Sequence, residues 1–138
     1  MSDKIKIILL ADDDPEDQEL LEDIILKMEP SIRFKKVDSG KQAVDYLEAC
    51  PDAELPCSII LDYSMPIYNA AEVLELINHH PRLSAIPRVV WSSSKQPEHV
   101  KTCMDRGAMA YFVKPNKMSE LTSIARKMLD ITFGVKTA

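Results

Sequence analysis

Short apolar runs alternate with helix-spaced apolar patterns along the whole chain, and this rhythm constrains the fold more than any other feature. Ile5 to Ala11, Ile32 to Val37, the run Ser58-Ile59-Ile60-Leu61, Pro87 to Ser92 and Tyr111-Phe112-Val113 read as five strands. After each comes a helical pattern. Leu20, Leu21, Ile24, Ile25 and Met28 mark the first and Ala43, Val44 and Leu47 the second; Val73, Leu74 and Ile77 mark the third. Val100 and Met104 mark a weaker fourth that ends at Gly107, and Leu121, Ile124, Ala125 and Met128 mark the last. Asp14-Pro15 supplies a cap and a first-turn proline for the first helix, with Glu16 and Asp17 favouring its positive end, and Pro30 stops it. Ser58 to Leu61 shows no polar alternation, as expected of a strand covered by helices on both faces. Five β-then-α units with right-handed crossovers predict an α/β fold, a five-stranded parallel doubly wound sheet. The residues leave the strand order open, 2-1-3-4-5 being common for five units.

At 138 residues the chain is expected to form one domain, with a core of about 5–130 and a tail over 131–138 in which Ile131, Phe133 and Val135 alternate. That tail packs on the body or offers a small partner or dimer surface, so a homodimer stays open. A net charge of −5 argues against a direct nucleic-acid binder. No stretch is long and apolar enough for a membrane span, and no signal peptide is legible, so a soluble cytoplasmic protein is expected. Cys50, Cys57 and Cys103 lack metal or disulfide spacing. His79, His80 and His99 lack ligand spacing and read as surface residues, and Trp91 reads as core.

In open parallel sheets, function gathers beyond the carboxyl ends of the strands at the topological switch point. With order 2-1-3-4-5 that point brings together the ends of the first strand, Asp12-Asp13, and of the third, Asp62. Two carboxylates about 4 Å apart repel by roughly 4 kcal/mol at an effective dielectric near 20, so a cation belongs among them. A hard divalent ion shared with phosphate oxygens suggests Mg²⁺. Ser92 and Lys114 end the fourth and fifth strands. Carboxylates, a hydroxyl and an ammonium suffice for phosphoryl transfer to Asp62 as nucleophile.

Asp12-Asp13, Asp62-x-x-Met65-Pro66, Ser92 and Lys114-Pro115, each at a strand end, resemble the receiver domain of two-component response regulators. The likeness covers roughly residues 5–130 and implies the 2-1-3-4-5 order of the flavodoxin-like, CheY-like sandwich. It implies Asp62 as phosphoacceptor. Mg²⁺ is then held by Asp13 directly, by Asp12 largely through water, by Asp62, and by the backbone carbonyl of Ser64. It implies Ser92 and Lys114 as phosphoryl contacts, Ser92 and Tyr111 as a switch pair, and a cis bond before Pro115. Phosphoryl donors would be a sensor histidine kinase or a His phosphotransfer protein. A downstream effector protein would read the face of the fourth helix, fifth strand and fifth helix, with no second domain expected after residue 130. The only catalysis implied is Mg²⁺-dependent phosphorylation and dephosphorylation of the chain itself. DDDPED before an amphipathic helix also resembles the regulators paired with phytochrome-like kinases.

Asn69-Ala70 replace the family's usual acid and glycine; Asn can still cap a helix, whereas Ala gives up positive φ and is expected to alter that loop. Ser64 and Ser94 flank the expected phosphoryl group, with no carboxylate or amide to orient water. Three other readings compete. A haloacid-dehalogenase-type phosphatase would use Asp12-x-Asp14, a flavin binder would use the first loop, and a docking module would keep the fold without the chemistry.

Overall fold

The computed structural model describes residues 6–134, so the expected start at Ile5 and the tail residue Val135 lie outside it. Five strands, β1 (Lys6–Ala11), β2 (Ile32–Val37), β3 (Ser58–Leu61), β4 (Arg88–Ser92) and β5 (Tyr111–Val113), form one parallel sheet in the order β2-β1-β3-β4-β5. Helices α1 (Pro15–Met28), α2 (Gly40–Ala49), α3 (Ala70–Asn78), α4 (Pro97–Asp105) and α5 (Met118–Phe133) make the crossovers. This is the doubly wound sandwich expected from the alternating pattern.

Alternation along the central strands divides the core in two. Leu9, Ala11, Ile59, Leu61 and Val90 pack on one face with α2, α3 and α4. Ile8, Leu10, Ile60, Val89 and Trp91 pack on the other with α1 and α5. Both faces are buried, which is why these strands read as unbroken apolar runs.

Two expectations need correction, and a third gains its physical reason. Residues 131–133 are not tail: α5 continues to Phe133 and closes on Gly134 in the left-handed conformation, φ 67°. Ile131 and Phe133 pack on the α1/α5 side of the core, so their spacing belongs to a helix. The Lys114–Pro115 bond is trans, as is every peptide bond among the described residues. Trans is the cheaper X–Pro isomer by about 0.5–1 kcal/mol, and just before it the Lys114 N–H donates to Ser92 O at 2.8 Å. Ala70 gives up positive φ as expected. It is the first residue of α3, buried, behind a complete capping box of Asn69 and Glu72. The left-handed residue of the loop is Ile67, at φ 73°.

Loop β3–α3 is fixed from α2 as well. A Cβ on Gly40 would collide with the Tyr68 carbonyl oxygen and stand 2.7 Å from the Tyr68 Cβ, so only glycine fits there.

Candidate phosphoacceptor site

The carboxyl tips of β1 and β3 meet. Asp62 N–H donates to Ala11 O at 2.9 Å, which sets the two strand ends side by side. Ligand oxygens of Asp12, Asp13 and Asp62 all lie within 4.8 Å of one another. Asp12 is 1% exposed and Asp62 is buried, whereas Asp13 faces solvent at the mouth of the cleft.

Asp12 is braced from several sides. Its Oδ1 accepts from Asp14 N–H at 2.9 Å, and its backbone N–H donates to Val37 O at 3.1 Å. Gln18, buried on α1, donates its side-chain amide to both Asp12 O and Val37 O at 2.8 Å. One amide thus ties the ends of β1 and β2 to α1. Asp14 also borders the cleft, but its side chain is engaged in capping α1, where it accepts from Glu16 N–H and Asp17 N–H. That use of Asp14 removes the second acid that the dehalogenase-type reading requires.

Lys114, at the end of β5, reaches across the sheet. Its Nζ lies 2.8 Å from Asp12 Oδ2, 2.8 Å from Asp17 Oδ2 and 3.2 Å from Asp62 Oδ2. The same ammonium stands 4.8 Å from the centre of the Trp91 ring. Burial alone lowers a lysine pKa, but bonds to Asp12 and Asp17 and the charge of Asp62 outweigh it and raise Lys114 above its ordinary value. Burial pushes Asp12 up to about 7, against the pull of Lys114 and the Asp14 N–H, with the charge of Asp62 adding to the rise. One ammonium does not neutralise three carboxylates, and the surplus negative charge is what a cation relieves. Oxygen donors with no His or Cys among them fit a hard divalent ion.

Ser64, Ser92, Ser93 and Ser94 line the rest of a cleft of about 230 Å³ with Asp13, Asp62 and Lys114. Ser92 is buried, and its Oγ accepts from Ser94 N–H at 3.2 Å. Tyr111 is half-buried and donates its hydroxyl to Ser94 O at 2.9 Å, which links β5 to the loop after β4. The structure therefore gathers Asp12, Asp13, Asp62, Ser64, Ser92 and Lys114 around one cleft and sets Tyr111 against its rim.

A family model for the response regulator receiver domain matches residues 8–126. The chain belongs to that family. Among curated relatives, the two-component response regulator ORR11 of Oryza sativa subsp. indica is 30% identical over 122 residues, covering 88% of this chain and 80% of the relative. ARR8 of Arabidopsis thaliana is 28% identical, over 88% of this chain and 60% of its own length. Among solved structures, the phosphorylated cyanobacterial phytochrome response regulator RcpA superposes with a TM-score of 0.85 at 26% identity, covering 96% of each chain. The Mn²⁺-bound form of response regulator Rcp1 gives 0.78 at 26% identity, over 96% of this chain and 97% of that one. The sheet order of this receiver is the one its sequence resemblance implied, and nothing supports the phosphatase alternative.

Sequence reasoning missed three contributors to the receiver cleft. Asp17 reads in the sequence only as an acid at the helix end, yet it holds Lys114. Gln18 lies among acids on a helix whose apolar stripe draws the eye, and only its neighbour Leu21 hints that position 18 faces inward. His99 is half-buried, not a surface residue. It stacks on Tyr63 with ring centroids 3.8 Å apart and planes 13° apart. His79 is exposed, and His80 pairs with Glu48 at 3.1 Å at the surface, in keeping with the expectation for those two. No helix among the described residues is long and apolar enough to cross a membrane.

Proposed function

We propose that this receiver takes a phosphoryl group onto Asp62 from the phosphohistidine of a sensor histidine kinase or a His phosphotransfer protein. The observation that carries the reading is the bridge from Lys114 Nζ to both Asp12 and Asp62, with Asp13 in the same oxygen cluster. The oxygen cluster fits Mg²⁺, which Asp13, Asp62 and the Ser64 carbonyl would hold, with Asp12 acting largely through water, and which would supply charge neutralisation for the incoming phosphoryl oxygens.

Asp62 attacks phosphorus through a carboxylate oxygen, and the donor imidazole leaves with the electron pair of its N–P bond. Lys114 is already 3.2 Å from Asp62 and anchored at its base by Asp12, so it meets the new anionic oxygens without a long search. Ser92 supplies a hydroxyl proton for a phosphoryl oxygen from the neighbouring strand end, its oxygen accepting from Ser94 N–H at 3.2 Å. Tyr111 is bonded to the same loop, so movement there passes to β5 and to the face made by α4, β5 and α5. That face is where an effector protein reads the state. Catalysis is confined to the chain's own carboxylate, so the chain is a signalling component and not an enzyme acting on other substrates.

Incubation with Mg²⁺ and acetyl phosphate, read by intact mass, tests this. One acid-stable, base-labile phosphate adduct is expected, absent in Asp62→Asn and strongly slowed in Asp13→Asn. An adduct that persists in Asp62→Asn refutes the assignment.

A further inference from the structure

Ser94 and His99 form a polar pair at the rim of the cleft that phosphoryl capture does not use. Ser94 Oγ lies 2.6 Å from His99 Nδ1. The imidazole lies flat on Tyr63, the residue after the phosphoacceptor, so its ring plane is set. Tyr111 holds the other side of Ser94 through the bond to its carbonyl.

A hydroxyl has one proton to give and two lone pairs. Gln96 N–H donates to Ser94 Oγ at 3.3 Å and occupies one lone pair. Neutral His99 with its proton on Nε2 takes the hydroxyl proton at Nδ1. The second lone pair is then available on the cleft side, where Ser94 is part of the lining. We propose that His99 is a positioning residue for dephosphorylation: through Ser94 it presents a hydrogen-bond acceptor to the water that removes the phosphoryl group from Asp62. This rests on the phosphoacceptor reading of Asp62.

In that step the water oxygen bonds to phosphorus and the bond from phosphorus to the Asp62 oxygen breaks. Asp62 leaves as carboxylate with the bonding pair, inorganic phosphate departs, and the surplus water proton passes to solvent. Ser94 accepts a hydrogen bond from the water and keeps its own proton directed at His99. Protonation of His99 inverts the arrangement. Nδ1–H must then donate to Ser94, both serine lone pairs are filled, and the serine proton turns toward the cleft.

The titratable groups around the pair are Tyr63, Tyr111 and Cys103. Burial raises all three, Cys103 to about 11, so they stay neutral near neutral pH. Glu72 and Arg106 bear on Tyr63, and Asp62 on Tyr111.

For the test, the whole protein is loaded with acetyl phosphate and Mg²⁺ and desalted. Loss of the adduct is then followed by intact mass between about pH 5.5 and 8.5, a range spanning the ordinary histidine pKa. The rate should fall toward the acid end of that range. His99→Phe, which keeps a ring against Tyr63, and Ser94→Ala should each slow the loss about fivefold, the rate equivalent of one ordinary hydrogen bond, and flatten the profile. His99→Gln, whose amide oxygen can accept from Ser94, should restore much of the rate without the pH dependence. In the metal-free protein, nitrogen-15 spectra should place the His99 proton on Nε2 at neutral pH, and a proton on Nδ1 overturns the proposal. A lifetime and profile unchanged in both His99→Phe and Ser94→Ala overturn it while leaving Asp62 as phosphoacceptor. Absence of any adduct in the unaltered protein overturns both readings together.

Discussion

Lys114 and Asp17 stand 97 positions apart in the chain and meet at 2.8 Å. Through this contact the first turn of α1, which caps its own start with Asp14, also lends a carboxylate to the ammonium that serves Asp62. Asp17→Asn should therefore destabilise the metal-free protein by about 0.5–1 kcal/mol, the range of a partly exposed ion pair, while the Asp62 adduct still forms. Urea unfolding and intact mass on the same sample check both halves.

Clustered carboxylates with a single ammonium among them should respond to a divalent cation. Saturating Mg²⁺ should raise stability by roughly 1–3 kcal/mol, since binding to the folded state alone contributes RT ln(1 + [L]/Kd). Asp13→Asn should remove most of that gain. Calorimetry with and without Mg²⁺ gives the answer, and an equal gain in the variant speaks against Asp13 as a ligand.

The two raised pKa values act in different pH windows. Asp12 ionises near 3.8 in the unfolded chain and near 7 in the folded one, so between these values the folded state holds the extra proton. Stability of the metal-free protein should then fall as pH rises from about 3.8 to about 7, and Asp12→Asn should flatten that slope. Lys114 has the opposite charge type. Its contribution is complete below about 10.5 and is lost only as pH climbs through its higher folded value. Melting curves across the series, collected with chelator present, separate the two.

Ile67 is β-branched, 66% exposed and held at φ 73°. A left-handed conformation costs an L-residue roughly 1–2 kcal/mol, and an exposed side chain recovers little of it. Ile67→Gly should stabilise the protein by about 1 kcal/mol, after allowing for glycine's freer unfolded state. A higher urea midpoint at unchanged slope is the expected record.

Trp91 is 2% exposed, and the Lys114 ammonium lies over its ring. Redistribution of Lys114 toward a phosphoryl group changes the field on the indole, so emission should shift when the adduct forms. Lys114→Met should abolish the shift. A fully modified sample with an unaltered spectrum contradicts this coupling.

Much of this was legible because long-range convergence in a parallel sheet is encoded locally. Strands that end on Asp12, Asp62, Ser92 and Lys114 must share one edge once the units wind in order, so four separated signals predicted one cleft. Contacts made from helices were not legible in the same way. Whether Asp17 points to solvent or to Lys114, and whether His99 lies free or on Tyr63, depends on helix rotation and on how each loop returns. Backbone detail was hidden for a related reason. Ala70 drew attention as a lost glycine, but the turn is taken three residues earlier, at Ile67. The apolar spacing of Ile131 and Phe133 suited a strand-like tail, but their packing belongs to a helix that continues.

Gln18 has a mechanical consequence. By gripping the ends of β1 and β2 with one buried amide, it makes the acidic wall a fixed jaw that α1 cannot leave without dragging both strands. The opposite jaw is built from hydroxyls on the loop after β4, fastened by single bonds from Tyr111 and His99. Strain from an added phosphoryl group is therefore delivered to one side only, and the message travels outward along α4 and β5.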